Sequence, residues 1–425
     1  MMPRACALDL LDAVSTRKQP LIEAIDGHPG LSRLSARDRA LAHNLAATVL
    51  RRRGQIDGLI DHCLDRPLSR KARDVRNFLR LGAGQILFLK IPLHAAVDTT
   101  VALAQQRRHG AYKALINAVL RRLCREAFKM IEAQDAARLN TPDWLWESWQ
   151  ATYGEATCRA IAEAHLGEPP LDITVKNDPH AWADRLEATV LGTGTLRLHR
   201  RQPVTELAGY SAGAWWVQDA AAALPARLLG DVKGRRVIDL CAAPGGKTAQ
   251  LIAAGARVTA IDRSPKRLGR LRANLNRLGM QAETITADAG GWRPQEAADA
   301  VLLDAPCSAT GIIRRHPDVA WLKNSGDVAW LAVQQERLLD AAVAMVKPGG
   351  LVVYASCSLQ PAEGRDRIAA LLAGGGAVER VAIATDEIGG LAELLTTDGD
   401  LRSLPCHLAE AGGMDGFFAA RLRRR

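Results

Sequence analysis

Two periodicities divide this chain. Through the first third, apolar residues recur every three to four positions. In SARDRALAHNLAATVLRRRGQIDGLIDHCL (35–64), Leu41, Leu45, Val49, Ile56 and Leu59 fall near helical spacing, with Ser35 placed as a cap. VRNFLRLGAGQILFLKIP (75–92), HAAVDTTVALAQQ (94–106) and AYKALINAVLRRLCRE (111–126) give further helical stripes. No strand alternation interrupts them, so residues 1–130 are expected to form an all-α domain. Residues 131–225 are expected to form a small α+β module: TPDWLWESWQATYG (141–154) reads as a helix, and PPLDITVKN (169–177) and LRLHRRQPV (196–204) read as strands. Trp144, Trp146 and Trp149 fit a packed core better than a stacking surface.

Over residues 226–425 short apolar runs alternate with helical patterns. RRVIDLCAA, ARVTAID, AETITAD, ADAVLLDAP and GGLVVYASCS read as five strands. SPKRLGRLRANLNRLG (264–279) is a marked helix, capped by Ser264, opened by Pro265 and ended by Gly279. Alternating strands and helices predict a mostly parallel, doubly wound α/β sheet. GMDGFFAARLRRR (413–425) offers one more strand, with the final RLRRR expected as a solvated tail.

Charge adds one fact to this division. The net charge is +10, but residues 1–130 carry 23 Lys+Arg against 11 Asp+Glu, a net +12, and the remainder is net −2. A basic helical third points to a polyanion, nucleic acid first, with Arg51, Arg52, Arg53, Arg121, Arg122 and Arg125 as basic faces. A solvated arginine-rich surface is the plain alternative. MMPRACALDLLDAV has no apolar run resembling a signal peptide, and no stretch is apolar enough to span a bilayer, so a cytoplasmic protein without membrane attachment is expected. The eight cysteines are too dilute for a disulfide framework and have no zinc spacing, so no metal is expected. A monomer is expected.

In open α/β sheets ligands sit beyond the carboxyl ends of the strands. There the five predicted strands deliver Asp239, Asp262, Asp288, Asp304 with Cys307, and Cys357. The turn APGGKT (243–248) suits close approach to a ligand, but Cys241 stands where a phosphate-binding loop needs glycine, and no dinucleotide fingerprint occurs. Asp262 is placed to accept from ribose hydroxyls and Asp288 from an adenine amino group. A ligand with an adenosine and no phosphates, S-adenosylmethionine, fits that set. Two thiols at adjoining strand ends suit methylation of carbon 5 of a pyrimidine: one thiolate adds to carbon 6, and a second group helps proton removal and release. Spacing does not say which thiol attacks. A phosphate-loop hydrolase and a non-catalytic RNA-binding factor are the competing readings.

DLCAAPGGKT (239–248), DAPCSATG (304–311) and YASCSLQPAEG (354–364) resemble the signature motifs of the RNA (cytosine-5)-methyltransferases. IIRRHPDVAWL and DGFFAARL also look like that family. LRLGAGQILFLKIPLHAAVDTTVALA and LINAVLRRL resemble the NusB-like RNA-binding domain of its bacterial members that act on 16S ribosomal RNA. The resemblance implies a NusB-like amino-terminal domain and a Rossmann-like S-adenosylmethionine-dependent methyltransferase domain acting on small-subunit ribosomal RNA. It implies that Cys241, Ala242, Ala243, Pro244, Gly245, Gly246 and Lys247 line the cofactor site, with Lys247 also in the catalytic set. Asp262 would hold the ribose and Asp288 the adenine end, and Asp304 would lie between cofactor and base. Cys357 would be the nucleophile and Cys307 the second thiol. Three departures stand out: Ala309 for the usual glycine, Ser356 for threonine, and Gly364–Arg365 for an Asn–Glu pair.

Overall fold

A computed structural model of the 425-residue chain describes residues 2–69, 72, 74–199 and 202–425. The chain forms two compact units: residues up to Glu168 with Ile313–Lys323, and Pro169–Ile312 with Asn324–Arg425.

The first unit is helical. Its core joins Leu10 and Leu11 of helix Met2–Ser15, Leu45 of Ala36–Arg51, Ile56 and Leu59 of Arg53–Cys63, Leu79 of Val75–Leu87, and Leu120 and Leu123 of Lys113–Ala133. Ser35 caps its helix by accepting from the Asp38 amide at 3.1 Å. This unit runs past residue 130 because Asn140 is tied into it. The Asn140 Oδ1 accepts from the amides of Gly54 (2.9 Å) and Gln55 (3.2 Å), and its Nδ2 donates to Gln55 Oε1 at 2.9 Å. The helices Asp143–Tyr153 and Glu155–Leu166 follow, with Trp146 and Trp149 buried and Trp144 partly so. Ile313–Lys323 is sewn in by three bonds. The Leu21 amide donates to Asp318 Oδ2 (2.8 Å), Trp321 Nε1 to the Leu50 carbonyl (2.8 Å), and Arg51 Nη2 to the Arg314 carbonyl (3.0 Å).

Part of the expected basic surface is therefore structural. Arg52 donates to the Leu166 carbonyl and lies over Phe88, and Arg53 lies 4.8 Å over Trp321. Burial pulls the Arg53 guanidinium down to about 10. Arg121 and Arg125 are exposed on helix Lys113–Ala133.

The second unit opens with a four-stranded antiparallel sheet of β1 (Leu171–Val175), β2 (Ala188–Val190), β3 (Leu196–Leu198) and β4 (Trp215–Val217), in order β2-β3-β1-β4. Arg200 and Arg201, within the stretch read as the second strand, lie outside the described residues. This sheet clusters with the strands that follow, so residues 131–225 are divided between the two units. Polar side chains hold it there. A buried bidentate pair joins Arg197 to Asp172 at 2.8 and 2.7 Å, Arg197 also reaches the Ala411 carbonyl at 2.7 Å, and Asp219 accepts from the Asp415 amide at 3.0 Å. Neither Asn140 nor Arg197 leaves a trace in hydrophobic periodicity.

The main sheet contains β5 (Arg236–Leu240), β6 (Arg257–Asp262), β7 (Glu283–Thr286), β8 (Ala298–Asp304), β9 (Val346–Ser356), β10 (Val378–Arg380), β11 (Leu401–Ser403) and β12 (Phe417–Arg424). Its order is β10-β12-β9-β8-β5-β6-β7, with β11 on β12; β5 to β9 are mutually parallel and β12 is antiparallel to β9 and β10. From β5 the chain runs outward through β6 and β7, then returns to β8 on β5's other side. That reversal opens a crevice beyond the carboxyl ends of β5 and β8. Ser264 caps helix Pro265–Arg277, whose Leu268, Leu271 and Leu275 are buried.

The carboxyl terminus corrects the expected solvated tail. Both faces of β12 are covered: Phe417 and Ala419 join one core, and Phe418, Ala420 and Leu422 the other. Arg421 is 9% exposed and ion-paired to Glu387. The basic residues hid an interior strand. Leu422→Ala is therefore expected to destabilise the protein by about 2–5 kcal/mol in denaturant unfolding, where a tail residue would change stability by less than about 0.5 kcal/mol.

Candidate functional site

The acids and thiols of the strand ends, the fully buried Asp239 apart, meet at one cavity of about 220 Å³ in the second unit. Its lining includes Cys241, Asp262, Asp288, Asp304, Cys307 and Cys357. A larger concavity, about 970 Å³, lies toward the amino-terminal ends of β5 to β7 and carries no thiol in its lining.

Asp239, next to last in β5, is fully buried. Its Oδ2 accepts from the Thr248 hydroxyl at 2.6 Å, and Oδ1 has no hydrogen-bond partner among the described residues. Burial raises this acid to about 7, the Thr248 bond opposing the rise. Cys241 follows in the left-handed region (φ 60°). Burial first, then the charges of Asp262 and Asp304, push its thiol up to about 12, so it meets the cavity as a neutral group. Gly245 has φ 102°, and a Cβ there would stand 2.9 Å from Leu271 Cγ, so this glycine serves the turn and its packing on helix Pro265–Arg277. Ala242 and Ala243 are buried against that helix, and the Pro244 carbonyl accepts from Asn274 Nδ2 at 3.0 Å. Of the seven residues from Cys241 to Lys247, Cys241 alone contributes to the cavity lining as described.

Lys247 is buried and donates to Asp304 at 2.8 Å, its Nζ lying 5.0 Å from the centre of the Phe417 ring. Burial favours the neutral amine, but Asp304 outweighs it and the ammonium is stabilised; negative charge on Cys357 acts in the same direction. The lysine's charge is committed to Asp304, so the glycine turn offers it to no phosphate. Asp262 is buried and ties two loops, accepting from the Ser264 amide (2.9 Å) and the Ala243 amide (3.3 Å), with Arg267 at 3.3 Å. The cap role and the cavity position coexist in one side chain. Asp288 is exposed and held bidentately by Arg337 at 2.6 and 2.9 Å, which keeps its carboxyl below the usual range. Sequence reasoning expected an acidic edge. Instead each of these three acids has a cationic neighbour on a helix: Lys247 of Gly246–Ala253, Arg267 of Pro265–Arg277 and Arg337 of Ser325–Met345.

Cys307 Sγ and Cys357 Sγ are 3.3 Å apart. The hydrogen bond to Cys357, then burial, then negative charge nearby push the Cys307 thiol well above its ordinary range. In this pair Cys307 keeps its proton and can donate it to the other sulfur. Gly364, one of the departures, has a physical reading: a Cβ there would lie 2.8 Å from Arg402 Nη2 and 3.0 Å from Phe418 Cγ. Its absence leaves room for Arg402 to donate to the Ser358 carbonyl at 2.6 Å, one residue beyond Cys357. Arg402 and Trp330, an exposed indole on the cavity lining, were not singled out from sequence; no periodic or motif signal marks either.

Asp262, Asp288 and Asp304, at or just beyond three strand ends, supply the cavity with carboxylates, the chemistry that the hydroxyls, amino groups and sulfonium of S-adenosylmethionine call on. No cluster of three or more metal-ligating side chains occurs among the described residues, nor any helix long and apolar enough to cross a membrane.

A parallel core sheet with this switch point suits an S-adenosylmethionine-dependent methyltransferase, and the known relatives show that class. Residues 226–423 match the family described as 16S rRNA methyltransferase RsmB/F, and residues 1–125 match the NusB family. The chain is 39% identical to the ribosomal RNA small subunit methyltransferase B of Sodalis glossinidius (strain morsitans), over 80% of this chain and 82% of that one. It is 36% identical to the protein of that name from Enterobacter sp. (strain 638), over 99% and 98%. The chain belongs to the RsmB/F methyltransferase family. The crystal structure of PH0851 shares the fold with a TM-score of 0.80 at 21% identity over 99% of both chains. A methyltransferase homolog protein from Pyrococcus horikoshii superposes with a TM-score of 0.54 at 26% identity, over 66% of this chain and 94% of that one.

The raised acid at the base of the site has a thermodynamic consequence. The folded state holds the Asp239 proton up to about 7, whereas the unfolded chain releases it near the ordinary carboxylate value of about 4. Between those values the native state binds more protons, so this group makes stability fall as pH rises, by at most about 1.4 kcal/mol per pH unit. In urea titrations Asp239→Asn should gain on the wild type from pH 4 to 7 and hold a constant advantage above that.

Proposed function

We propose that this chain transfers a methyl group from S-adenosylmethionine to carbon 5 of a cytosine in 16S ribosomal RNA, through a covalent adduct of Cys357 with carbon 6. The observation that carries the reading is the 3.3 Å approach of two thiols at a cavity they share with Asp304. The names of the relatives supply the substrate class.

Carbon 5 of cytosine is a weak nucleophile. Addition of the Cys357 thiolate to carbon 6 places electron density on carbon 5, which then attacks a methyl group. The Cys307 sulfur stands 3.3 Å from that of Cys357 before addition. Asp304, fixed by Lys247, accepts from the cytosine amino group and orients the ring, and the Lys247 ammonium stabilises the negative charge that develops on it. Bound S-adenosylmethionine supplies the methyl as an electrophile on a sulfonium. Once Cys357 is bonded to carbon 6 its negative charge, one cause of the raised Cys307 thiol, is gone; Cys307 then passes its proton to solvent and, as thiolate, takes the proton from carbon 5. The carbon 6–sulfur bond breaks, Cys357 leaves as thiolate, and Cys307 is again the donor to it. The base must leave its stack to reach the sulfurs. We assign RNA phosphate contacts to the helical unit, with Arg121 and Arg125 among its exposed cations and the protein acting as a monomer in the cytoplasm.

Purified enzyme, labelled cofactor and 16S RNA test this reading, with bisulfite sequencing to locate the product. Cys357→Ala should lose methyl transfer while still binding cofactor, and Cys307→Ala should accumulate protein covalently attached to RNA, visible as a slow gel band. Full turnover by Cys357→Ala sinks the assignment. RNA affinity should fall steeply with salt, and Arg121→Ala with Arg125→Ala should flatten the log–log slope by about 2; an unchanged slope removes those two residues from the RNA contact.

A further inference from the structure

The mechanism needs two sulfurs held at fixed separation on two different loops, and one buried carboxylate reaches both loops. Glu363 closes the short turn Pro361–Glu363 and is fully buried. Its Oε1 accepts from the Ser308 amide at 2.8 Å and from Gln335 Nε2 at 3.1 Å. Its Oε2 accepts from the Ser358 hydroxyl at 2.5 Å and from the Ser308 hydroxyl. Ser308 follows Cys307 and Ser358 follows Cys357. The same Gln335 Nε2 donates to the Pro306 carbonyl at 2.9 Å, on the other side of Cys307. The Glu363 carbonyl accepts from Ser356 Oγ at 2.9 Å, on the other side of Cys357, and from the Tyr354 hydroxyl at 2.8 Å. Thus both neighbours of each thiol are fastened to Glu363, directly or through Gln335.

We infer that Glu363 is a positioning residue that sets the separation and relative orientation of the Cys307 and Cys357 sulfurs. This rests on the reading that those thiols carry the reaction. The hydrogen bonds to its carboxylate all come from neutral groups: one backbone amide, two hydroxyls and one carboxamide. A carboxylate is acceptor-only, so all four donors can point at it together. A glutamine of the same shape puts an –NH2 where one oxygen was: on the Oε1 side it meets the Ser308 and Gln335 N–H groups donor to donor, and on the Oε2 side both hydroxyls must turn from donors into acceptors, so the four-donor arrangement is lost. The negative charge near the pair also favours the Cys307 proton, which keeps that thiol a donor to its partner. The carboxylate touches neither substrate nor cofactor and acts through the thiols.

The full-length Glu363→Gln protein tests this with two readouts. Its kcat should fall by about 100-fold, the scale of a small misplacement of reacting groups, with cofactor affinity, measured by calorimetry, within about two-fold of wild type since no cofactor contact is altered. Independently of RNA, the pH profiles of iodoacetamide alkylation at Cys307 and Cys357, resolved by peptide mass spectrometry, should move relative to wild type. The double variant Ser308→Ala, Ser358→Ala removes the hydroxyl contacts and keeps the carboxylate. It should also lower kcat, and combined with Glu363→Gln it should lose less than the product of the two effects. A folded Glu363→Gln protein with wild-type kcat and wild-type alkylation profiles overturns the inference. Should Glu363→Gln not fold, wild-type kcat and profiles in the serine double variant overturn it equally. Turnover by Cys357→Ala would instead sink the mechanism and leave the alkylation test of positioning standing.

Discussion

The parallel pairing of β8 with β9 is the constraint on which this site depends. Its register sets Leu303 opposite Tyr354 and Asp304 opposite Ala355, and the Ala305 amide extends the ladder to the Ala355 carbonyl at 2.8 Å. Cys307 lies three residues beyond the paired Asp304 and Cys357 two beyond Ala355. Two thiols fifty residues apart thereby meet with no chain segment joining them directly. A slip of one residue would turn every side chain of β9 to the other face. Both faces of β9 are buried, with Val353 and Ala355 in one core and Val352 and Tyr354 in the other, so the slip is opposed by packing on two sides.

Charge is handled at this edge by close pairing. Lys247 with Asp304, Arg267 with Asp262 and Arg337 with Asp288 each place a cation beside an acid that faces the cavity. The pairs differ in exposure. The Lys247 side chain is 10% exposed, whereas both partners of the Arg337–Asp288 pair are about half exposed and screened by solvent. Removing Asp304 would leave the buried Lys247 ammonium uncompensated in low dielectric, so Lys247 and Asp304 are best understood as one unit. Cys241 is the complement: amid those acids its thiol stays neutral, and the charge chemistry is left to the 307–357 pair.

Much of this was legible in the sequence because the strand ends are written in local patterns. The alternation from 226 onward located β5 to β9, and the residues immediately after each strand named the acids and thiols now found around one cavity. What stayed hidden has a common cause: it depends on partners distant in the chain. Asn140 extends the helical unit by accepting from amides some 85 positions away. Arg197 anchors the small sheet through a carbonyl 214 positions away. Arg51 to Arg53 read as surface charge, yet their guanidinium groups bond carbonyls or cover aromatic rings. The glycine turn fared differently. Its glycine content was read as room for a ligand, but at Gly245 the room belongs to Leu271.

The terminal strand shows how support for the site reaches the end of the chain. β12 lies antiparallel to β9, with Phe418 opposite Ser356, the residue before Cys357. Phe417 lies beneath the Lys247 ammonium at 5.0 Å, and Phe418 beneath the Arg402 guanidinium at 5.1 Å. Those two cations brace Asp304 and the Ser358 carbonyl respectively. A single pair of aromatic residues, pointing to opposite faces of one strand, thus backs the acid on β8 and the loop that follows β9. Because β12 also covers the outer edge of β9, the strand that leads into Cys357 is interior to the sheet. Its end is thereby held from both sides, where an edge strand, paired on one side only, would fray.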